Sequence, residues 1–267
     1  MNAQAGSNDL RWVRLHFIIG KGVFLEILRR KDLYVLIILS LLYVLGILVI
    51  HLVGIENPET ANFLQNLGMS LAWFFAHILM LLNSSRQIPD DLENHTIYPL
   101  LAKPLKRSHY ILGKWEAVSL SGVLSLFIFL FFGWLLAPGQ MGNSSLLLVQ
   151  TLILYILSLA LFSALGLFLS LLLPRSVNAI VLGLLVFLGG NIFDIVKIRA
   201  QNARCGALWN WIICYIPDFS LFNLTTRYTD GIGPLSSMQF AGLLSYGFIM
   251  TAVVLYLAVK VFERRRL

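Results

Sequence analysis

The sequence predicts an all-α integral membrane protein of six transmembrane helices, preceded by an amphipathic helix that lies in the membrane interface. Three observations predict it. Charged residues make up 12% of the chain and hydrophobic residues 58%, where soluble domains carry about 25% charged residues. A water-soluble fold has too much surface per unit of core to hide that much apolar area. Apolar runs of about 20 residues, the length needed to cross a bilayer, recur along the chain. The basic residues then fall on one side of those runs.

The first residues, Met1 to Ser7, are polar and uncharged. They lack the charged, apolar and small-residue order of a cleaved signal peptide, so the first apolar span is expected to be retained. Residues 8–31 are expected to form the amphipathic helix. Leu10, Val13, Phe17, Phe24 and Leu28 share one face, and Arg11, Arg14, Lys21 and Arg29 the other, a pattern suited to lying flat at the cytoplasmic surface. Gly20 and Gly22 weaken it. Phe17 and Phe24 are the residues expected to seat it, and both simple anchoring and docking of a partner are open to it.

The spans are expected at residues 33–53, 63–82, 117–137, 146–173, 177–193 and 240–259. The second contains Gln65, Asn66 and His77. The fifth is short, follows Pro174 and ends near Asp194, and the sixth stops at Lys260. Long apolar runs without alternation fit helices and not a barrel. With six spans, sixteen of the twenty Lys and Arg residues fall on one side; Lys197, Arg199, Arg204 and Arg227 fall on the other, all in one connection. This bias puts both termini in the cytoplasm of a multi-pass protein. It also explains the net charge of +7 through anionic lipid, without nucleic acid as a partner.

The connection over residues 86–114 is the least lipid-like part of the inner face. Pro89 suits a first helical position, and Asp90, Asp91 and Glu93 sit where a helix dipole favours acidic residues. A short helix is expected from Pro89 to about Tyr98, with breaks at Pro99 and Pro104. Leu92, Ile97, Leu100 and Leu101 stand among charges, the make-up of a docking surface for a soluble partner. The outer connection over residues 196–239 is the longest, and its Trp209, Trp211 and Tyr215 resemble an interfacial aromatic belt. Cys205 and Cys214 fall on its oxidising side, where a disulfide is chemically allowed.

The chemistry that is missing narrows the function. There is no GxxxxGK[ST], so the chain is not expected to bind ATP in the usual way, and no HExxH or GxSxG motif points to catalysis. The five histidines are too scattered, and the two cysteines too far from them, to suggest a metal site. Ionisable groups inside spans mark ion pathways; His77 alone lies near a span centre, and it reads best as a histidine hydrogen-bonded to a neighbouring helix. Proton- or sodium-coupled transport is therefore disfavoured. Ser121 and Ser125, Gly166 and Ser170, and Gly183, Gly189 and Gly190 are small residues at spacings that let helices approach closely, first of all within the chain.

The run Pro89-Asp90-Asp91-Leu92-Glu93-Asn94-His95-Thr96-Ile97-Tyr98-Pro99-Leu100-Leu101-Ala102-Lys103-Pro104-Leu105, with Arg107, Tyr110, Gly113 and Lys114 after it, resembles the permeases of type-2 ATP-binding-cassette exporters. The subgroup it is most similar to is the permease of nitrous-oxide-reductase maturation. The resemblance implies a non-enzymatic permease in a bacterial cytoplasmic (inner) membrane that pairs with a second copy or a paralogue, with ATP-binding-cassette ATPase subunits in trans. The chain itself would bind no cofactor, and ATP and Mg would be used by the partner. The short helix after span two would be a coupling helix, with Asp91, Glu93, Thr96, Ile97, Leu100 and Leu101 contacting the ATPase and Arg107, Tyr110, Gly113 and Lys114 opening span three. Export of a solute is the leading expectation. A membrane-embedded scaffold that transmits force to outer-face protein maturation is the alternative.

Overall fold

The computed structural model describes residues 22, 24–25, 32–52, 58–94, 107–136, 145–185, 218–225, 227 and 232–264. Six helices run through them: α1 (Asp32–Leu52), α2 (Pro58–Glu93), α3 (Arg107–Leu136), α4 (Ser145–Leu172), α5 (Arg175–Leu185) and α6 (Ser237–Arg264). A 3-10 turn, Phe219–Phe222, precedes α6. No strand occurs among the described residues. Four stretches are long and apolar enough to cross a membrane: Asn66–Glu93, Arg107–Phe131, Ser145–Leu172 and Ser237–Arg264. The expected first and fifth spans appear as shorter apolar helices, Ile37–Gly46 within α1 and Arg175–Leu185. Cys205, Cys214, Asp194, Trp209, Trp211 and Tyr215 lie outside the described residues.

α4 is the axis of the bundle, packed against α2, α3, α6 and the 3-10 turn, while α1 lies on α3 and α2. Lipid tails are as apolar as leucine, so burial of apolar area does little to hold such helices together; close packing and interhelical hydrogen bonds do. Both are evident. A Cβ on Gly122 of α3 would run into the Met80 side chain of α2, and one on Gly166 of α4 into Ser84 of α2. His77 of α2 links to α4: its Nδ1 donates to its own Trp73 carbonyl (2.8 Å) and its Nε2 lies 2.9 Å from Ser158 Oγ. Ser119 meets Ser163 (2.7 Å), and Trp115 Nε1 donates to the Ala160 carbonyl (2.9 Å). The expected roles of His77 and Gly166 in joining neighbouring helices are thus seen at the level of contacts, and Gly122, between Ser121 and Ser125, adds a further close approach. Ser121, Ser125 and Ser170 donate to carbonyls of their own helices, and Ser121 also accepts from Asn83 Nδ2 of α2 (3.5 Å).

Pro174 ends α4, and α5 starts at the next residue, as proline's fixed φ and missing N–H favour. Asn178 turns α5 back on α4 by donating from Nδ2 to the Gly166 carbonyl (3.1 Å). Outward faces are apolar: Ile38, Leu41 and Leu45 on α1, Phe127 and Phe131 on α3, and Phe248, Ile249 and Tyr256 on α6 are all exposed. Of the N-terminal region, Phe24 is helical and half-buried against the main core, Leu25 points outward, and Phe17 lies outside the described residues.

One element differs from expectation. The sequence places a helix start at Pro89, but α2 runs through Pro89 without ending and stops at Glu93. Proline inside a helix removes one hydrogen bond and crowds the preceding turn, at about 3 kcal/mol. Tertiary contacts override that penalty, with Ile88 fully buried and Leu92 packed beside it. Asn94 N donates to the Asp90 carbonyl (2.9 Å), closing the final turn. At 1.5 Å per residue, the 36 residues of α2 reach about 54 Å, well beyond the ~30 Å hydrocarbon layer of a bilayer.

Candidate functional site

The ends of α2, α3, α4 and α6 and the start of α5 meet at one end of the bundle, the end rich in basic residues. A small apolar cluster seals it: Ile88 from α2, Tyr110 and Ile111 from α3, Leu167 and Leu171 from α4, and Ala258 and Phe262 from α6. The polar groups built on this cluster are those singled out in the sequence. On α3, Arg107, Tyr110 and Lys114 stand at i, i+3 and i+7, one face of a helix. On α2, Gln87 and Asp91 stand at i and i+4, likewise on one face.

Lys114 joins the two faces. Its Nζ lies 2.6 Å from Asp91 Oδ2 and donates to the Gln87 carbonyl (2.7 Å) and to Gln87 Oε1 (3.1 Å). An ammonium has three N–H donors, so these three oxygens account for them. The Lys114 side chain is 3% exposed and that of Asp91 20%, so the pair is shielded from water on the lysine side. Tyr110 is buried and its hydroxyl donates to the same Asp91 oxygen in a short hydrogen bond. The Lys114 ammonium also sits 5.4 Å from the Tyr110 ring centre, within cation–π range.

Arg107 extends the cluster to α6. Its Nη1 donates to the carbonyls of Phe262 (3.2 Å) and Glu263 (2.9 Å), in the last turn of that helix, where backbone carbonyls lack intrahelical partners. A cation there also suits the helix dipole. The guanidinium lies 5.9 Å from the Phe262 ring centre, and Tyr110 stacks on that ring at 5.5 Å and 19°. Arg175, at the start of α5, reaches Asp90 Oδ1 at 3.5 Å; both side chains are partly solvated, and such a pair contributes little.

The structure therefore brings together Asp91, Arg107, Tyr110 and Lys114. Gly113 is buried on α3 beside Lys114, and Glu93 is exposed at the end of α2. Thr96, Ile97, Leu100 and Leu101 lie outside the described residues. Sequence reasoning missed Gln87 and Phe262. The spacing of Gln87 to Asp91 was a usable signal; Phe262 lies in an apolar run with nothing to mark it.

The opposite end is closed by the segment before α6. Asp218 caps the 3-10 turn, and Phe219 and Phe222 are buried against the bundle. Tyr155 of α4 donates to Asn223 Oδ1 (3.1 Å), and Gln150 of α4 pairs with the Leu235 backbone in both directions (3.1 and 2.9 Å). Among the described residues, no group of three or more His, Cys, Asp or Glu side chains could hold a metal ion. The basic-end cluster can fix helix ends to one another.

The family model described as ABC-2 family transporter protein matches residues 24–267, all but the first residues of the chain. No curated protein matches the sequence.

Proposed function

Because the chain belongs to the ABC-2 family of transporter proteins, and so is a membrane subunit of an ATP-binding-cassette transporter and not itself an enzyme, we propose that it is the permease of an exporter driven by a separate ATPase. ATP and Mg act in that partner, since this sequence carries no P-loop. The region over residues 86–114 is the coupling site, with Asp91–Leu101 docking the ATPase. Glu93 makes a charged contact, and Ile97 and Leu100 fill an apolar groove. The basic end faces the cytoplasm of a bacterial inner membrane, with both termini on that side, in keeping with the basic bias. The permease works as a pair, with a second copy or a paralogue. Placement beside the nitrous-oxide-reductase maturation permeases rests on the run from Pro89 to Lys114.

One observation carries the coupling reading. α2 and α3 are bound together by the Asp91–Lys114–Tyr110 cluster just where residues 95–106 leave α2 and return to α3. The end of α2 and the start of α3, which flank that apolar stretch of sequence, are therefore held to each other at the end of a helix too long for the hydrocarbon layer. A surface loop needs no such fastening.

The test is co-purification of the ATPase with tagged permease. Truncation of interface anchors removes at least about 2 kcal/mol each. Ile97→Ala with Leu100→Ala should therefore release the ATPase while the permease keeps its own melting temperature. Glu93→Lys should do the same through charge reversal. Full retention of the ATPase in both variants would refute the docking assignment.

A further inference from the structure

We infer that Lys114 is a positioning residue that splints α2 across Pro89, and that with Arg107 and Tyr110 it makes the basic ends of α2, α3 and α6 move as one body. The inference rests on the coupling reading above and names how a pull at residues 95–106 would reach the membrane.

Pro89 lacks an N–H, so the Ser85 carbonyl loses its partner from the turn above and α2 has its weakest point there. A kink at such a point is the ordinary outcome. A displacement applied beyond Glu93 would then be absorbed by bending at Pro89. The structure places one ammonium on both sides of this point. Lys114 Nζ holds Gln87, two residues before Pro89, through both its carbonyl and its side chain, and Asp91, two residues after it, through the ion pair. Both anchors come from one rigid base, since Lys114 lies within α3.

The splint is tied onward. Tyr110, one turn before Lys114, fixes the Asp91 carboxylate and stacks on Phe262 of α6. Arg107, at the start of α3, holds the Phe262 and Glu263 carbonyls. The end of α2 and the start of α3 are thus fastened to each other and to the last turn of α6. Displacement of the segment is delivered to three helices together, and separating α2 from α3 would leave a buried ammonium without its partners.

The test uses the full chain in lipid nanodiscs, with Cys205 and Cys214 replaced by Ser and spin labels at the exposed positions Asn94 and Arg264, the labelled chain being diluted with excess unlabelled chain so that only distances within one copy are read. Pulsed electron paramagnetic resonance reads the distance between the ends of α2 and α6. The parent should give one narrow distance. Lys114→Met should lose it to a broad or split distribution, and Asp91→Asn, a milder change, should broaden it on the α2 side. Pro89→Ala restores the missing helix hydrogen bond, so Lys114→Met with Pro89→Ala should return the narrow distance. A buried pair that served only stability would give no rescue specific to position 89; Gly22→Ala, at an exposed helical site with open space around its Cβ, is the control and should not rescue. A narrow distance in Lys114→Met, or failure of Pro89→Ala to restore it, would overturn the inference. These arms need no ATPase, so they are decided even if the docking assignment fails. In the complex with its ATPase, ATP and Mg should leave the parent distance single; splitting it would also overturn the inference.

Discussion

Replacing Lys114 with Met removes one charge and three hydrogen bonds while keeping most of the side-chain volume. At 2.6 Å, Coulomb's law gives about 6 kcal/mol for the attraction to Asp91 at an effective dielectric near 20, and about 1.6 kcal/mol in bulk water. Desolvating the ammonium opposes this by several kcal/mol. Two further oxygens, both from Gln87, reduce that penalty, because the ammonium is not left with unmet donors. Removing one partner of a buried pair typically costs about 3–5 kcal/mol. Asp91 is one-fifth exposed and keeps its bond from Tyr110, so about 2–4 kcal/mol is expected here. The assay is reversible unfolding in mixed micelles for Lys114→Met, Asp91→Asn and the double variant, read as a double-mutant cycle. The coupling energy should be at least about 2 kcal/mol and should change little between low and high salt, because a shielded pair is poorly screened. A coupling near 0.5 kcal/mol that vanishes in salt is the signature of a solvated pair. That result would refute the placement of Lys114 inside the bundle.

Two further perturbations probe the rest of the bundle. Gly166→Ala puts a Cβ 2.5 Å from Ser84 Cβ, forcing α2 from α4; overpacking of this sort costs about 1–3 kcal/mol. A melting temperature equal to the parent's would show that these helices do not touch there. Gln150→Leu removes both bonds to the Leu235 backbone, each buried group left unpaired costing about 1–3 kcal/mol. Hydrogen exchange at the Leu235 amide should accelerate, and unchanged protection would refute the clasp between α4 and the segment before α6.

Much of the fold was legible because the bilayer imposes a length and an apolarity that few other structures share. The apolar run at 146–173 falls on α4 almost residue for residue, and that at 240–259 lies within α6, which starts at Ser237 and runs on to Arg264. The second span was read too short, at 63–82, since Asn83, Ser84, Ser85 and Gln87 look like a loop in sequence. All four are buried; Ser84 and Ser85 donate to carbonyls of α2 itself, and Asn83 and Gln87 bond Ser121 and Lys114 of α3, so these polar side chains serve the helix and its packing. The helix start expected at Pro89 failed for a related reason. Local rules place proline at a helix start, and only the tertiary contacts of Ile88, Gln87 and Asp91 reveal that the helix continues.

The basic-end cluster was half legible, and the half that was missed explains the half that was seen. Arg107, Tyr110 and Lys114 were named through the family resemblance, but sequence alone could not say what a helix needs from three such residues on one face. The structure supplies three partners: the carbonyls ending α6, the ring of Phe262, and the two sides of a proline break. Each is invisible to composition, because a backbone carbonyl and a phenylalanine in an apolar run carry no distinguishing letter. Since apolar burial contributes little between helices in lipid, the parts of this bundle that move together are set by where its polar contacts lie. α2 carries such contacts from His77, through Asn83, to Gln87 and Asp91. A displacement arriving at the basic end would therefore carry α2 with α3 and α4.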